Sequence, residues 1–366
     1  MAHFSQERYS KLVKAKVRKE LKLKDGVVFN NDYEGNPTAG VVKIPVRDGE
    51  VAVTDYDKAN GIQGTTGSTA YETMVIDKDK AVNEVIDGFD AKAVPDNLVA
   101  DRLDSAGYSL AAQIDNDGAT TLLAGATVVN EAALDKTNIY DKIVDIRTAM
   151  SEDNIPDDGK RYLLVIPKTM ALILKCEEFI KASDLGDAVV QSGIVGRIAG
   201  FNVIEWNDTT ANLAMIAGHP RFATRATEFA VPIHIQDLSG SGTYIGASAV
   251  QGRKVYGHKV LRSVAIKAVY TPGSLTIGAE AGSTAGTTIL TVSSGNTGTT
   301  YAYKINPSAR ATYNMTATAY AGTSLTSGTT EIEVTAGQII EVVNLSSSKV
   351  VAVGYVTVTA DMIKSA

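Results

Sequence analysis

The spacing of hydrophobic positions divides the chain into a mixed first part and a β-rich last part. In the first part, three stretches repeat hydrophobic residues every three or four positions, which predicts amphipathic helices. They begin after Pro95-Asp96-Asn97, near Thr137 or Asn138, and at Pro167, because proline is tolerated in the first turn of a helix. In the same part, β-branched and aromatic segments predict strands at residues 41–46, 71–76, 162–166 and 201–206. This part is therefore predicted to be an α+β fold.

Beyond residue 271 the pattern changes to short segments separated by Gly, Ser and Asn turns. Strands are predicted there at residues 287–292, 300–305, 311–318, 331–335, 338–345 and 349–359. Charged residues become less frequent, and every aromatic residue is a tyrosine. Because Pro272-Gly273 is a turn signal, we place a boundary after Thr271. Residues 272–366 are predicted to form an all-β sandwich of immunoglobulin-like type.

A long polar connection, rich in glycine and threonine, separates the first two predicted strands. The two strands and this connection predict an extended hairpin. Isolated hairpins are marginally stable in water, so a neighbouring molecule is expected to support one of this length. The residues predicted to contact a neighbouring subunit are Asp55, Tyr56, Lys58, Gly61, Gln63 and Gly64.

Basic residues concentrate at the N-terminus, although the net charge of the whole chain is -6. That net charge argues against a broad nucleic-acid-binding surface, so any such contact must be local. Val13, Val17 and Leu21 recur every four positions, which indicates a helix with a solvated basic face. The alternative is a local contact with nucleic acid or with another protein, for which the candidates are Lys11, Lys14, Lys16, Arg18 and Lys19.

Catalytic, cofactor and metal sites are not predicted. The single cysteine, Cys176, lies in a hydrophobic run and is expected to be buried. The four histidines do not have the spacing of metal ligands. Asp115, Asp117 and Gly118 match part of a calcium loop, but position 126 is Ala where that loop requires Glu, so a helix-to-loop transition is favoured. We therefore expect no enzymatic activity and no cofactor.

The glycine-rich segment at residues 193–200 precedes a strand. A dinucleotide site requires the opposite order, in which a strand leads into the glycines and then into a helix. The segment is predicted to make a sharp turn before the strand, and Trp206, the one tryptophan, is predicted to anchor the end of that strand.

Four segments of the first part resemble, in this order, parts of a known family. Residues 41–46, followed by 55–57 and 61–64, resemble an extended loop, and residues 71–90 resemble its return strand and the start of a spine helix. Residues 162–167 with the helix that follows resemble the passage from a peripheral into an axial domain. Residues 196–201, with Val203 and Asn207, resemble an axial strand. The family is that of tailed-phage major capsid proteins with the Hong Kong 97 type fold.

This resemblance implies a capsid domain over residues 1–271. It divides the domain into an N-terminal arm (1–40), an extended loop (41–90), a spine helix region (91–130), a peripheral domain (131–182 and 231–271) and an axial domain (183–230). It also implies a virion protein that assembles in the host cytoplasm into pentamers and hexamers of an icosahedral shell. The implied partners are a separate scaffolding protein, a portal and packaged double-stranded DNA bound without sequence specificity, with no membrane.

Two other classes of protein remain open. An encapsulin-like nanocompartment shell would share the fold but would enclose a cargo enzyme instead of a genome. A surface adhesin or layer protein would account for the β-rich last part. That class is expected to carry a secretion signal, and residues 1–10 are too polar to provide its apolar core.

Overall fold

The computed structural model describes residues 16, 18–33, 40–46, 50, 51, 53–62, 69–93, 98–177, 196–293 and 300–365. The chain divides into two compact units. Unit 1 contains Met1–Gly125 and Pro220–Arg262, and unit 2 contains Ala126–His219 and Ser263–Ala366. Each unit joins two segments that are far apart in the sequence, so each depends on long-range contacts.

The first segment of unit 1 forms a hairpin, a further strand and a long helix. Its elements are β1 (Val41–Val46), β2 (Ala70–Val75), β3 (Lys78–Ile86), α1 (Gly88–Ala93) and α2 (Leu98–Gly125). Strands β1 and β2 pair antiparallel, with Val41 opposite Val75. Helix α2 buries Ala106, Leu110 and Ile114, as the helical spacing of hydrophobic residues predicted.

The first segment of unit 2 alternates strands and helices. Its elements are β4 (Thr127–Asn130), α3 (Ile139–Glu152), β5 (Tyr162–Val165), α4 (Pro167–Leu174), β6 (Arg197–Ile198), β7 (Phe201–Glu205) and β8 (Leu213–Gly218). The predicted hydrophobic stripe of α3 is confirmed, because Ile139, Ile143, Ile146 and Met150 are all buried. Pro167 occupies the first turn of α4, as predicted.

The second segment of unit 1 completes a three-stranded sheet. Strands β9 (Ala223–Asp237) and β10 (Ser248–Val260) pair antiparallel, and β10 also pairs with β3, so the order is β3-β10-β9. Helix α2 packs on one face of this sheet. Ile86 of β3, Val250 of β10 and Ala106 of α2 are buried together in that contact.

Strand β11 (Lys267–Tyr270) completes the six-stranded sheet of unit 2, whose order is β4-β11-β8-β5-β7-β6. All four residues of the central strand β5 are buried, which explains why its sequence is continuously hydrophobic. The sheet contains strands from each of the ranges that were predicted as peripheral and axial domains. The boundaries between those domains stay a prediction.

The glycine-rich segment makes the predicted sharp turn. Strands β6 and β7 form a hairpin in which Ile198 pairs with Phe201, so the connection is the two residues Ala199 and Gly200. Both have positive φ, 45° and 86°, which matches the two-residue turns that join twisted strands. Trp206, directly after β7, is buried, as predicted.

The last part of unit 2 is a two-sheet β structure. Its elements are β12 (Gly273–Ser274), β13 (Ile277–Ala281), β14 (Thr287–Val292), β15 (Thr300–Ile305), α5 (Ala317–Tyr320), β16 (Thr323–Leu325), β17 (Glu331–Glu333), β18 (Ile339–Ser346) and β19 (Lys349–Thr357). One sheet has the order β12-β19-β18-β15-β16 and the other β13-β14-β17. Leu290 and Ile332 of the smaller sheet share one hydrophobic cluster with Ile340 and Val342 of the larger sheet. The immunoglobulin-like classification stays a prediction.

One predicted strand of this region, residues 311–318, is wrong. The chain turns there, with Asn314 at a φ of 60°, and then forms the short helix α5. The Thr316 hydroxyl accepts a hydrogen bond from the Ala319 N–H at 3.2 Å and caps this helix. Threonine was counted as a strand residue, whereas its side chain here satisfies the backbone at a helix start.

Replacing the buried Arg161 by leucine is expected to lower the free energy of unfolding by about 3 kcal/mol. Arg161 is 1% exposed, and its guanidinium donates to the carbonyl oxygens of Pro156, at 2.9 Å, and Ile155. It also donates to the Ser151 hydroxyl at 3.2 Å. Leucine would leave the buried Ile155 carbonyl oxygen and the partly buried Pro156 carbonyl oxygen without these donors. Urea denaturation of both proteins measures the difference.

The matched control is Arg147→Leu, because Arg147 pairs with Asp157 at the surface. An exposed ion pair contributes about 1 kcal/mol or less, so this variant should unfold almost like the parent. Equal losses in the two variants would contradict the structural role assigned to Arg161.

Candidate assembly surfaces

The β1–β2 hairpin has one packed face and one exposed face. Ile44 and Met74 point to the packed face and are buried in a cluster that includes Ile76. Neighbouring residues point the other way along each strand, and Tyr71 and Val75 on that face are 64% and 53% exposed. The body of unit 1 therefore holds the hairpin, while its outer face offers apolar surface to another molecule.

Strand β10 fixes the base of the hairpin through a close backbone approach. A Cβ atom on Gly257 would lie 2.6 Å from the carbonyl oxygen of Val75, so a side chain at this position would push the strands apart. Two positions further along β10, the Lys259 Nζ donates to the Thr73 carbonyl oxygen at 2.8 Å and lies 3.0 Å from a Glu72 carboxylate oxygen. The position of the hairpin thus depends on one glycine and one lysine.

Asp57 organises the described part of the loop beyond β1. Its carboxylate accepts hydrogen bonds from the Ala59 N–H at 2.8 Å and from the Asn60 amide at 2.6 Å. Its carbonyl oxygen accepts from the Gly61 N–H at 2.8 Å. The bonds from Ala59 and then Asn60 lower the pKa of Asp57, because they stabilise the ionised carboxylate. Hydrogen bonds within residues 57–61 therefore stabilise this turn.

The predicted contact residues fall on this exposed loop. Asp55, Tyr56 and Lys58 are exposed, and Gly61 is partly buried in the turn. Gln63 and Gly64 lie outside the described residues. Their role as intersubunit contacts stays a prediction.

Two apolar residues of the same loop were missed. Val51 and Val53 are 85% and 99% exposed. The sequence signal was available, because two valines alternate with other residues inside a loop that has no core to bury them. They add apolar surface to the region that was predicted to meet a neighbouring subunit.

Residues 16 and 18–23 of the N-terminal arm lie along helix α2. Lys16 Nζ is 2.7 Å from a carboxylate oxygen of Asp101, and Leu23 N–H donates to Asp115 Oδ1 at 2.9 Å. Residues 16 to 23 of an extended chain span about 23 Å, and residues 101 to 115 of a helix span about 21 Å. The arm therefore runs parallel to the helix in an extended conformation.

Two further contacts lie between these ends. Arg18 pairs with Asp104 at 2.7 Å and lies over the ring of Tyr108, and the Tyr108 hydroxyl donates to the carbonyl oxygen of Lys19 at 2.9 Å. The predicted arm helix is wrong for residues 18–24, which form no helix. Positions 13 and 17, which carried that prediction, lie outside the described residues. The contacts with α2 therefore determine the conformation of this segment, and the local spacing of hydrophobic residues does not.

The predicted helix-to-loop transition at Asp115 and Asp117 is also wrong. Helix α2 continues to Gly125, and both carboxylates serve as anchors on it. Asp115 holds the arm, and Asp117 Oδ2 accepts a hydrogen bond from the Tyr256 hydroxyl at 2.7 Å. Acidic residues in mid-helix were therefore a signal for long-range contacts.

The five predicted arm contacts divide into two groups. Lys11 and Lys14 lie outside the described residues. Lys16 and Arg18 are paired with helix carboxylates, and the hydrogen bond from Lys16 lowers the pKa of Asp101. Lys19 lies beside them on the same arm. Contact of these residues with scaffolding protein or DNA stays a prediction.

The described residues provide no group of three or more His, Cys, Asp and Glu side chains that could hold a metal ion. Cys176 is buried, as predicted. Within the described part of the chain, no helix is long and apolar enough to cross a bilayer. The features that stand out are surfaces for association: an exposed hairpin and loop, and an arm bound along a helix.

Comparison with known proteins found a match to one protein family. The sequence profile described as phage capsid protein matches residues 85–270, which is 186 of 366 residues. No curated protein matches the chain.

Solved structures from phages share the fold. A structure from Mycobacterium phage Che8 has 21% identity and a TM-score of 0.61, covering 73% of this chain and 97% of that chain. The capsid of cyanophage P-SCSP1u has 13% identity and a TM-score of 0.62, covering 73% and 92%. A structure from Gordonia phage Cozz has 12% identity and a TM-score of 0.58, covering 73% and 91%.

These likenesses confirm the predicted α+β capsid fold, and the profile match extends over half of the chain. The chain therefore belongs to the phage capsid protein family and is a major capsid shell protein.

Proposed function

We propose that this shell is the icosahedral capsid of a tailed phage and encloses a double-stranded DNA genome. Pentamers and hexamers of the chain would form it, with the extended loop of each subunit lying across its neighbour. The observation that carries this proposal is the β1–β2 hairpin, whose base is packed on unit 1 while its outer face and loop expose Tyr71, Val75, Val51 and Val53. Individually weak contacts of this kind sum over a closed shell.

The extended loop is proposed to make its contacts through Asp55, Tyr56, Lys58, Gly61, Gln63 and Gly64. Support comes from the exposure of Asp55, Tyr56 and Lys58, and from the Asp57 turn, which presents them on an ordered segment. A preformed turn loses less conformational entropy on binding than an unstructured loop. The subunit is therefore prepared for association before it meets a neighbour.

The proposed partners are a scaffolding protein, a portal and the packaged DNA, with assembly in the host cytoplasm. The basic arm is the proposed contact for scaffold or DNA, through Lys11, Lys14, Lys16, Arg18 and Lys19. Because Lys16 and Arg18 are paired with Asp101 and Asp104, such a contact would compete with these ion pairs and would be sensitive to salt. We propose no catalytic turnover and no cofactor.

Co-expression with the scaffolding gene of the same phage is expected to give closed shells of uniform size in negative-stain microscopy. The chain expressed by itself should give tubes, sheets or free subunits. Uniform empty shells from the single gene would contradict the proposed need for a scaffold. Shells that enclose a cargo protein instead of DNA in the native particle would favour a nanocompartment.

A variant tests the arm in the same experiment. Lys11→Glu, Lys14→Glu and Lys19→Glu together should return the co-expressed chain to aberrant products, while its melting temperature stays close to the parent value. Lys349→Glu with Lys364→Glu is the control, because these two lysines lie in the exposed part of the sandwich. If both variants assemble equally well, the arm is not the scaffold contact.

A further inference from the structure

His258 on β10 is a partly buried histidine whose ring packs against aromatic side chains. Both ring nitrogens are buried, and neither has a hydrogen-bond partner among the described residues. The ring contacts Phe29, with centroids 5.1 Å apart, and Tyr256, with centroids 5.5 Å apart. A Cβ atom on Gly118 would lie 3.3 Å from His258 Nε2, so helix α2 closes the site against the ring. A buried polar group without a partner is uncommon and calls for an explanation.

The carboxylate on the adjacent helix is already engaged by other donors. Asp117 Oδ2 accepts from the Tyr256 hydroxyl at 2.7 Å, and Asp117 Oδ1 accepts from the Gln113 amide at 3.0 Å. Both oxygens therefore have donors other than the imidazole of His258. In this arrangement neither ring nitrogen of His258 makes a hydrogen bond to this carboxylate.

Other charges around His258 come from β9 and from the start of β3. Arg225 of β9 is paired with Asp25 of the arm, and Lys78 and Asp77 lie at the start of β3. Burial, followed by the positive charge of Arg225, lowers the pKa of His258 to about 4, while Asp117 and Asp77 act in the opposite direction and Lys78 lowers it slightly further.

The arm covers this histidine. Val28 and Phe29 are fully buried, and Arg225 lies over the Phe29 ring at 5.6 Å. The Asn30 N–H donates to the Ala223 carbonyl oxygen at 2.8 Å, and the Arg225 N–H donates to the Asn30 carbonyl oxygen at 2.8 Å. Residues 25–30, here called the latch segment, are thus attached to β9 and placed over His258.

We propose that His258 is an acid-sensitive switch that keeps the latch segment on unit 1 at neutral pH and releases it when the imidazole is protonated. The neutral ring fits the apolar contact with Phe29. A protonated ring would be a buried charge next to Arg225, with no acceptor among the described residues, and water can reach it when Phe29 moves away.

The direction of the pH effect follows from the lowered pKa. The imidazole binds a proton more readily in the released state, where its pKa returns towards 6.5, than in the latched state, where it is about 4. The latched state is therefore fully stabilised above pH 6.5 and loses this stability as the pH falls from there towards 4. The latch segment should leave before the sheet unfolds.

Hydrogen exchange on the full-length subunit tests the switch. Between about pH 7.5 and about pH 5, the protection factors of amides 26–30 should fall by about tenfold or more, while those of β10 stay unchanged. His258→Phe keeps an aromatic ring but removes the titration, so its latch segment should stay protected at the lower pH. His234→Gln, an exposed histidine on β9, should behave like the parent.

Three outcomes would overturn the proposal. The first is parallel loss of protection in the parent and in His258→Phe. The second is simultaneous loss in the latch segment and in β10, which would mean global acid unfolding. The third comes from carbon-13 histidine titration of the parent, which needs no variant. A pKa of His258 near 6.5 instead of near 4 would show that the ring nitrogens are not shielded from water by Phe29.

Discussion

Deletion of residues 55–68 is expected to abolish shell formation and to leave the subunit folded. The base of the hairpin contributes Ile44 and Met74 to a buried cluster, whereas the described loop residues in the deleted range are exposed or, like Gly61, in a surface turn. The deletion should therefore change the free energy of unfolding only slightly, because it removes no core residue among those described. It should prevent association, because it removes the proposed contact residues. Microscopy and size-exclusion chromatography measure assembly, and a circular dichroism melt measures folding.

Two controls test whether the side chains of the loop, and not only its length, are needed for assembly, and whether one side chain alone is responsible. Replacing residues 55–68 by a glycine-serine linker of the same length should also prevent assembly, because the linker keeps the reach but lacks the side chains. Lys58→Ala should still assemble, because the contact is proposed to be shared by several residues. Normal shells from the deletion would refute the assignment of this loop as an intersubunit arm.

Truncation after Thr271 is expected to leave a chain that still folds and assembles into shells, and residues 273–366 are expected to fold by themselves. The two-sheet structure has its own core, with Leu290, Ile332, Ile340 and Val342 in one cluster. A fragment should begin at Gly273, because β12 pairs with β19 in the larger sheet. A cooperative melt of the fragment and microscopy of the truncated chain are the measurements.

Within unit 2, polar and aromatic contacts connect this two-sheet structure to the rest. Arg310 pairs with Asp135 at 3.0 Å, Asn212 donates to the Val351 carbonyl oxygen at 2.8 Å, and Tyr270 stacks on Tyr313. Exposed ion pairs contribute about 1 kcal/mol or less, so Arg310→Ala should barely change the melt of the full-length chain. If the truncated chain cannot fold, these contacts are essential and the boundary after Thr271 is wrong.

The local spacing of hydrophobic residues was sufficient to predict those helices, strands and turns whose conformation depends on residues close in the sequence. The stripe of α3, the buried strand β5 and the Ala199-Gly200 turn were all predictable, because each depends on spacing or on backbone preference within a few residues. The extended hairpin was predictable for the same reason. Its exposed valines, Val51 and Val53, were visible in the sequence but were overlooked.

The sequence by itself determined the α+β class, the long helix α2, the β-rich last part and the resemblance to phage capsid proteins. Only the tertiary structure decided that residues 18–23 of the arm are extended, that α2 continues past Asp117 and that the ring nitrogens of His258 are buried where the ring contacts Phe29. In each case the partner is more than 80 residues away along the chain: Asp101 for Lys16, Tyr256 for Asp117, and Phe29 for His258. Local patterns report which face of an element is apolar, but they carry no information on which distant side chain will meet it.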